Sequence, residues 1–528
     1  MSSKPSRPYP LDLQFRGHIQ GLTYLDTSSQ PLCHYFGDVP YALPPLGPFR
    51  FQKPRQLPPC YRYGTKRNPA IFTGGCGVCP QPGVDVKEWD EDCLQCNIWV
   101  PIGDAPEGGW PVMVYIHGGF LQYGTPNALD LRAFLSSSPI KCIVVAPSYR
   151  LNIFGFLASS TLPTTSYAPN LGFWDQRLAL EWTFQNINYF GGNASNITLA
   201  GYSAGSHSVF HQLRYDICVV PNEKGIIKRV MMLSNGPGLQ PKSLEEVQEQ
   251  FIELLSTLHI PSTLSPTDQL SRLRSTPARH LVHAVQKMAL HQFRGVTDNT
   301  FIHAALWPDL TTGYFASRLI ARQIPILIGE CSDEHFVYAT YRPPSPTYSS
   351  LQSRLLADYP ASSVARVMKT YFPSGTLPVG KYNSWKDAFG RVYADIQIHA
   401  LVRAMVHALM VNGAGHLLHR YRVEWRAGCV DEKFPRKWGA THTSDLAIWL
   451  WDGLAEAEKG IAREFIGPVG EFVQGKEVST VWGTQSERDI RILKSDGRVE
   501  IESDGYWDEG MEVWRHLVGG DKEEKAKL

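Results

Sequence analysis

The sequence predicts an α/β protein built on a mostly parallel central sheet with helices on both faces. Two observations carry this. Short apolar, β-branched runs recur along the 528 residues: Pro111–His117 (PVMVYIH), Cys142–Ala146 (CIVVA), Asn196–Tyr202 (NITLAGY), Val230–Ser234 (VMMLS) and Pro325–Gly329 (PILIG). They are apolar throughout rather than alternating, as strands covered on both faces are. Helical patterns lie between them. From Leu171 to Ile187, Leu171, Trp174, Leu178 and Trp182 recur at helical spacing, enough to cover one face of a sheet. Strand and helix in alternation are the mark of this fold class. Leu417–Trp425 (LLHRYRVEW) reads as a late strand, and the stretch from about 240 to 420 is rich in helical patterns. No repeat, low-complexity segment or linker divides the chain, so a single domain over residues 1–528 is expected.

Composition excludes some functions. With 51 Lys+Arg against 50 Asp+Glu the net charge is +1, which leaves no basic footprint for nucleic acid and no polybasic patch for a membrane surface. No run approaches the roughly 18 apolar residues of a membrane span. The N-terminus, MSSKPSRPYPLDLQF, has Lys4 and Arg7 but no apolar segment behind them, so a cytoplasmic rather than a secreted protein is expected. The C-terminal Ala526-Lys527-Leu528 resembles the Ser-Lys-Leu peroxisomal address, whose partner is an import receptor. Ten cysteines are too few for a disulfide scaffold in a chain this long. Cys76, Cys79, Cys93 and Cys96 form two Cys-x-x-Cys pairs, a spacing that also suits a zinc site.

The strongest chemical signal is Gly201-Tyr202-Ser203-Ala204-Gly205, directly after the strand NITLAGY and before a helical pattern. Gly-x-Ser-x-Gly in a strand–turn–helix is the nucleophile elbow of α/β-hydrolases. The sharp turn forces Ser203 into a strained backbone, and the flanking glycines let neighbouring backbone approach without a Cβ. A second motif, His117-Gly118-Gly119-Phe120, follows the strand PVMVYIH. In this fold such a loop supplies backbone N–H groups to the carbonyl oxygen as it becomes an oxyanion. The sequence therefore assigns an oxyanion hole to Gly118, Gly119, Phe120 and Ala204, with the amides of the last three as donors.

Longer blocks follow in order. They are Asp38-Val-Pro-Tyr-Ala with Phe49-Arg50-Phe51 and Pro54, Asp90-Glu-Asp-Cys93-Leu, Tyr149-Arg150-Leu-Asn-Ile-Phe-Gly-Phe-Leu157, Asn170-Leu-Gly-Phe-Trp-Asp175-Gln-Arg and Asn188-Tyr-Phe-Gly191-Gly192. The chain resembles the type-B carboxylesterase family, cholinesterase-like α/β-hydrolases, over nearly its whole length. The resemblance implies a serine hydrolase that cleaves small carboxylic esters through an acyl-enzyme on Ser203, with no cofactor and no metal. It places the triad acid in Gly329-Glu-Cys-Ser-Asp333-Glu334-His335, as Glu334, although His335 stands where the family has glycine and leaves Asp333 as the alternative. It places the base in Trp438-Gly-Ala-Thr-His442, as His442. The order Ser…Glu…His fits the fold. The resemblance further implies an Arg50–Glu91 and an Arg150–Asp175 ion pair and a Cys79–Cys93 disulfide, whereas a cytoplasmic location would keep both thiols reduced.

Departures narrow the substrate. Secreted cholinesterases carry an acidic residue before the nucleophile, and this chain has Tyr202. Phe120 replaces a small residue of the oxyanion loop. Neutral aryl or short alkyl esters are expected to be preferred over choline esters. Trp438, Trp449 and Trp451 either line an aromatic gorge or belong to the core, and His207 is expected to serve packing. The same triad also suits acyl transfer, lactone opening or amide hydrolysis. A non-catalytic binding member of the family would lack part of it.

Overall fold

The computed structural model describes residues 4–518. Its main strands, in chain order, are β1 (Ser6–Asp12), β2 (His18–Leu25), β3 (Pro31–Pro40), β4 (Gln95–Pro101), β5 (Trp110–Ile116), β6 (Ile143–Pro147), β7 (Gly192–Tyr202), β8 (Arg229–Leu233), β9 (Ile326–Cys331), β10 (Leu418–Val423), β11 (Asp489–Leu493) and β12 (Val499–Ser503). They pair in the order β1-β2-β3-β4-β6-β5-β7-β8-β9-β10-β11-β12, and a short strand, Ala70–Ile71, adds to β2. From β6 to β11 along this order every neighbouring pair is parallel. The flanks are antiparallel.

Each sequence-read strand lies in the parallel part, because those strands are apolar on both faces. Along β5, Val112, Val114 and Ile116 enter one core while Met113 and Tyr115 enter the other. Along β7, Ile197 and Leu199 face the first core and Ala200 and Tyr202 the second. Helix α1 (Leu171–Asn186) and helix α2 (Ala204–Cys218) cover the first face with Leu178, Trp182, Val209, Phe210 and Leu213. Trp174 of α1 is only partly buried, under the ammonium of Lys53 at 3.6 Å.

A long helix, α3 (Trp385–Val411), is long and apolar enough by length and composition to cross a membrane. The sequence reading missed this because scattered charged residues break the run. Most of its apolar window, 72%, is buried inside the protein. A π-helical segment, Asp395–His399, interrupts it. Helix α4 (Glu456–Gln474) covers the second face through Ala462, Phe465, Ile466 and Val469. The Ala526-Lys527-Leu528 tripeptide lies outside the described residues.

Candidate active site

Ser203 stands between the end of β7 and the first residue of α2, with φ 57° and ψ −122°. That region is strained for any residue with a Cβ. The flanking glycines follow from close approach. A Cβ on Gly201 would lie 2.5 Å from the Gly205 carbonyl, and one on Gly205 would lie 2.0 Å from the Ile116 carbonyl oxygen. Any side chain at either position would push the turn off the sheet.

The parallel strands deliver the partners. Glu334 follows the end of β9, and His442 lies on the loop after β10. His442 Nε2 is 2.8 Å from Ser203 Oγ, and His442 Nδ1 is 2.5 Å from Glu334 Oε2. All three are buried, Glu334 completely. The other Glu334 oxygen accepts the Cys331 amide at 2.8 Å, so the carboxylate is held from both ends. Asp333 points elsewhere. Its amide donates to the Ala440 carbonyl, and its carboxylate accepts from Ser332 Oγ at 2.8 Å and lies against Gly439. Asp333 thus ties the two loops together through backbone, while Glu334 reaches the imidazole.

The glycine loop lies against the nucleophile: a Cβ on Gly118 would be 3.1 Å from Ser203 Cβ. Gly119 has φ 108°, and Phe120 and Leu121 follow at φ 57° and 64°. Among the described residues, the amides of Gly119, Phe120 and Ala204 donate to no protein acceptor. Ala204 opens α2, where the helix N-terminus favours negative charge. Burial pushes the His117 imidazole down to about 4, so it is neutral, and its Nδ1 lies 2.8 Å from the Gly118 carbonyl.

Asn152 was not singled out by sequence, and it holds this loop. Its amide donates to the Leu121 carbonyl at 2.8 Å, and its Nδ2 donates to the carbonyls of Pro80 and Gln122 at 2.8 and 3.1 Å. Two consecutive non-glycine residues at positive φ cost on the order of 1 kcal/mol or more each. The surrounding hydrogen bonds must therefore over-determine the conformation.

An aromatic wall closes one side. The Phe120 ring stacks on Tyr341 at 3.7 Å and meets Tyr338 edge-on at 5.8 Å, and Tyr338 lies 4.8 Å from the His442 ring. Sequence gave no hint of Tyr338 or Tyr341, which come from the short helix after Glu334 and the turn beyond it. Trp449 and Trp451 are core residues of the second face, not gorge residues, and Trp438 packs on Phe336. Tyr202 is buried in the second core. Its hydroxyl donates to Asp445 Oδ1 at 2.8 Å and accepts the Thr443 amide at 2.7 Å, which pins the histidine loop. Burial, with Glu334 nearby, pushes the Asp445 carboxyl up to about 6. His207 is buried on α2 with Nδ1 3.1 Å from the Gly236 carbonyl. Burial and the Arg294 charge push it down to about 3.

The implied ion pairs are both present. Arg50 and Glu91 form a two-pronged pair at 2.8 and 2.5 Å, and Arg150 grips Asp175 at 2.8 and 2.7 Å. Cys79 and Cys93 form a disulfide. That pairing takes two thiols from the four a zinc site would need, and Cys76 turns to Asn97 instead.

The chain is similar to known proteins over nearly its whole length. The model of the Carboxylesterase family matches residues 10–487. A carboxylic ester hydrolase of Gibberella moniliformis is 45% identical over 97% of this chain and 96% of its own length. An uncharacterized esterase/lipase of Schizosaccharomyces pombe is 36% identical over 97% of each chain. The crystal structure of Aspergillus niger EstA shares the fold, with a TM-score of 0.74 and 19% identity over 97% of this chain and 98% of that one. With the family model spanning most of the chain on this fold, the chain belongs to the carboxylesterase family and is a carboxylic ester hydrolase.

Proposed function

We propose that Ser203 attacks the ester carbonyl and carries the acyl group, with His442 as general base and acid and Glu334 as its orienting carboxylate. The observation that carries this reading is the unbroken line Ser203 Oγ–His442 Nε2, His442 Nδ1–Glu334 Oε2. His442 Nε2 takes the serine proton as Oγ attacks, then returns it to the leaving alcohol. Glu334 fixes the tautomer with its proton on Nδ1 and stabilises the imidazolium. The amides of Gly119, Phe120 and Ala204 receive the developing oxyanion, and Gly118 leaves room for it. Water then enters by the same route and frees Ser203. Tyr202, engaged with Asp445, offers no negative charge to a quaternary ammonium group, so choline esters are poor substrates.

Activity-based labelling with a fluorophosphonate, followed by turnover of a model aryl ester, tests this. Ser203→Ala should abolish labelling and lower kcat by on the order of 10⁴ or more. Near-normal turnover by Ser203→Ala would sink the mechanism.

A further inference from the structure

Two chains of packed side chains lead away from Ser203 and both end at one guanidinium. Along the first, the His442 ring is 4.8 Å from Tyr338, Tyr338 is 5.2 Å from Tyr393, and Tyr393 Oη lies 3.3 Å from Arg294 Nη1. Along the second, His207 sits one helical turn beyond Ser203, its amide donating to the Ser203 carbonyl. Gly238 lies between His207 and Gln397: a Cβ there would be 3.2 Å from His207 Cε1 and 3.8 Å from Gln397 Nε2. Gln397 Oε1 accepts from Arg294 Nη2 at 3.0 Å. Gln397 belongs to the π-helical segment of α3, an irregularity frequent at functional sites.

The charges around Arg294 do not cancel. Arg294 and Arg354 share a single carboxylate, Asp358, and Tyr393 donates to it as well. Both Asp358 oxygens are therefore engaged. Lys242, whose Nζ donates to the Leu356 carbonyl at 2.6 Å, adds further positive charge, and the acids beside it, Glu246 and Glu249, are exposed at the surface. His291 nearby is neutral, since burial pushes it down to about 4. Two guanidinium groups on one carboxylate leave an interior cation in excess. Such a charge is costly unless something pairs with it. The side chains of Asp358, Arg354 and Arg294 are 1%, 5% and 13% exposed, so Arg294 is the most accessible of the three. Its Nε donates to nothing among the described residues.

We propose that the preferred substrates are esters bearing a carboxylate, and that Arg294, between the Tyr338–Tyr393 pair and Gln397, is the group that receives it. The proposal rests on the ester-hydrolase reading above and names its substrate class. A guanidinium with donors left over binds a carboxylate by charge-assisted hydrogen bonds, often two-pronged. The same cation repels choline.

The test is a pair of matched comparisons. On the acyl side, the para-nitrophenyl monoester of glutaric acid is compared with that of its neutral monoamide. On the alcohol side, meta-carboxyphenyl butyrate is compared with meta-carboxamidophenyl butyrate. Background hydrolysis is subtracted, and the readout is the ratio of kcat/KM, charged to neutral. The expected ratio in at least one arm is about tenfold or more, falling as salt is raised. It should collapse in Arg294→Gln and survive in part in Arg294→Lys. Because each ratio is internal to one variant, a general loss of activity cancels. Should Arg294→Gln fail to fold, the ratio in the unmodified protein and its salt dependence decide. A ratio of one or less in both arms, or a ratio that Arg294→Gln leaves unchanged, overturns the proposal. If neutral esters are cleaved without any preference, only this inference fails. If no ester is cleaved and Ser203 is not labelled, the hydrolase reading fails and takes this one with it.

Discussion

At Glu334 and Asp333, two adjacent carboxylates divide the work by where the chain turns. The Asp333 amide is bound to the Ala440 carbonyl as part of a bridge between loops. That bridge aims the next side chain, Glu334, at His442. Removing the Glu334 charge leaves the imidazolium without its partner during catalysis. Glu334→Gln should therefore lower kcat by about 10³ or more, with Asp333→Asn costing less than about tenfold. Steady-state kinetics of the two variants on one aryl ester decides it. A larger loss in Asp333→Asn would mean that the acid has been placed one residue too far along. From sequence alone the two were hard to separate, because His335 replaces the glycine that marks the register. In the fold Glu334, and not Asp333, faces His442, since side-chain direction depends on the turn and not on residue type.

The element that most needs support is the oxyanion loop. Its two consecutive positive-φ residues, Phe120 and Leu121, are held by Asn152 and by Gln81, which takes both the amide and the carbonyl of Gly124. Asn152 itself has φ 44°, so Asn152→Gly keeps the backbone at ease and removes only the two bonds from Nδ2. The loop amides would then be less well aimed at the oxyanion, a charge that exists only in the transition state. The expected outcome is a roughly tenfold fall in kcat with KM little changed. A matching loss should appear in affinity for a trifluoromethyl ketone, which mimics the tetrahedral state. A rise in KM at constant kcat would show that Asn152 serves ground-state binding instead.

For the molecule as a whole, the buried Asp445 ties stability to pH. Its carboxyl is pushed up to about 6 in the fold, against about 4 when unfolded. The folded state therefore keeps a proton that the unfolded chain releases between those values. This group's stabilising contribution is full below about 4 and is lost as pH rises through about 6. Asp445→Asn carries no such proton. The difference in Tm, unmodified protein minus variant, should fall across that window and level off above it. Thermal melts at matched ionic strength measure it. A difference that does not change with pH would show that Asp445 titrates in the fold as it does in the unfolded chain.

What was legible in the chain was whatever depends on short-range rules. The parallel strands were visible because burial on both faces makes them continuously apolar, and the elbow because only glycine fits at positions 201 and 205. The antiparallel flanks were missed. β1 (SRPYPLD) and β12 (VEIES) are edge strands, largely or partly exposed, and owe their structure to a neighbour rather than to their own pattern. The sequence by itself determined the fold class and the family, and it named Ser203, His442 and the glycine loop, which the fold brings together. Only the tertiary structure decided where neighbouring side chains point. It turned Glu334 rather than Asp333 to the imidazole and sent the Tyr202 hydroxyl to Asp445. It also placed Asn152 under the oxyanion loop and Arg294 at the end of both chains of packed side chains. The reason is physical. Strand and turn propensities act over a few residues, whereas the charge and hydrogen bonding of a site are set by groups far apart in sequence, here as distant as Ser203 and His442, 239 positions apart.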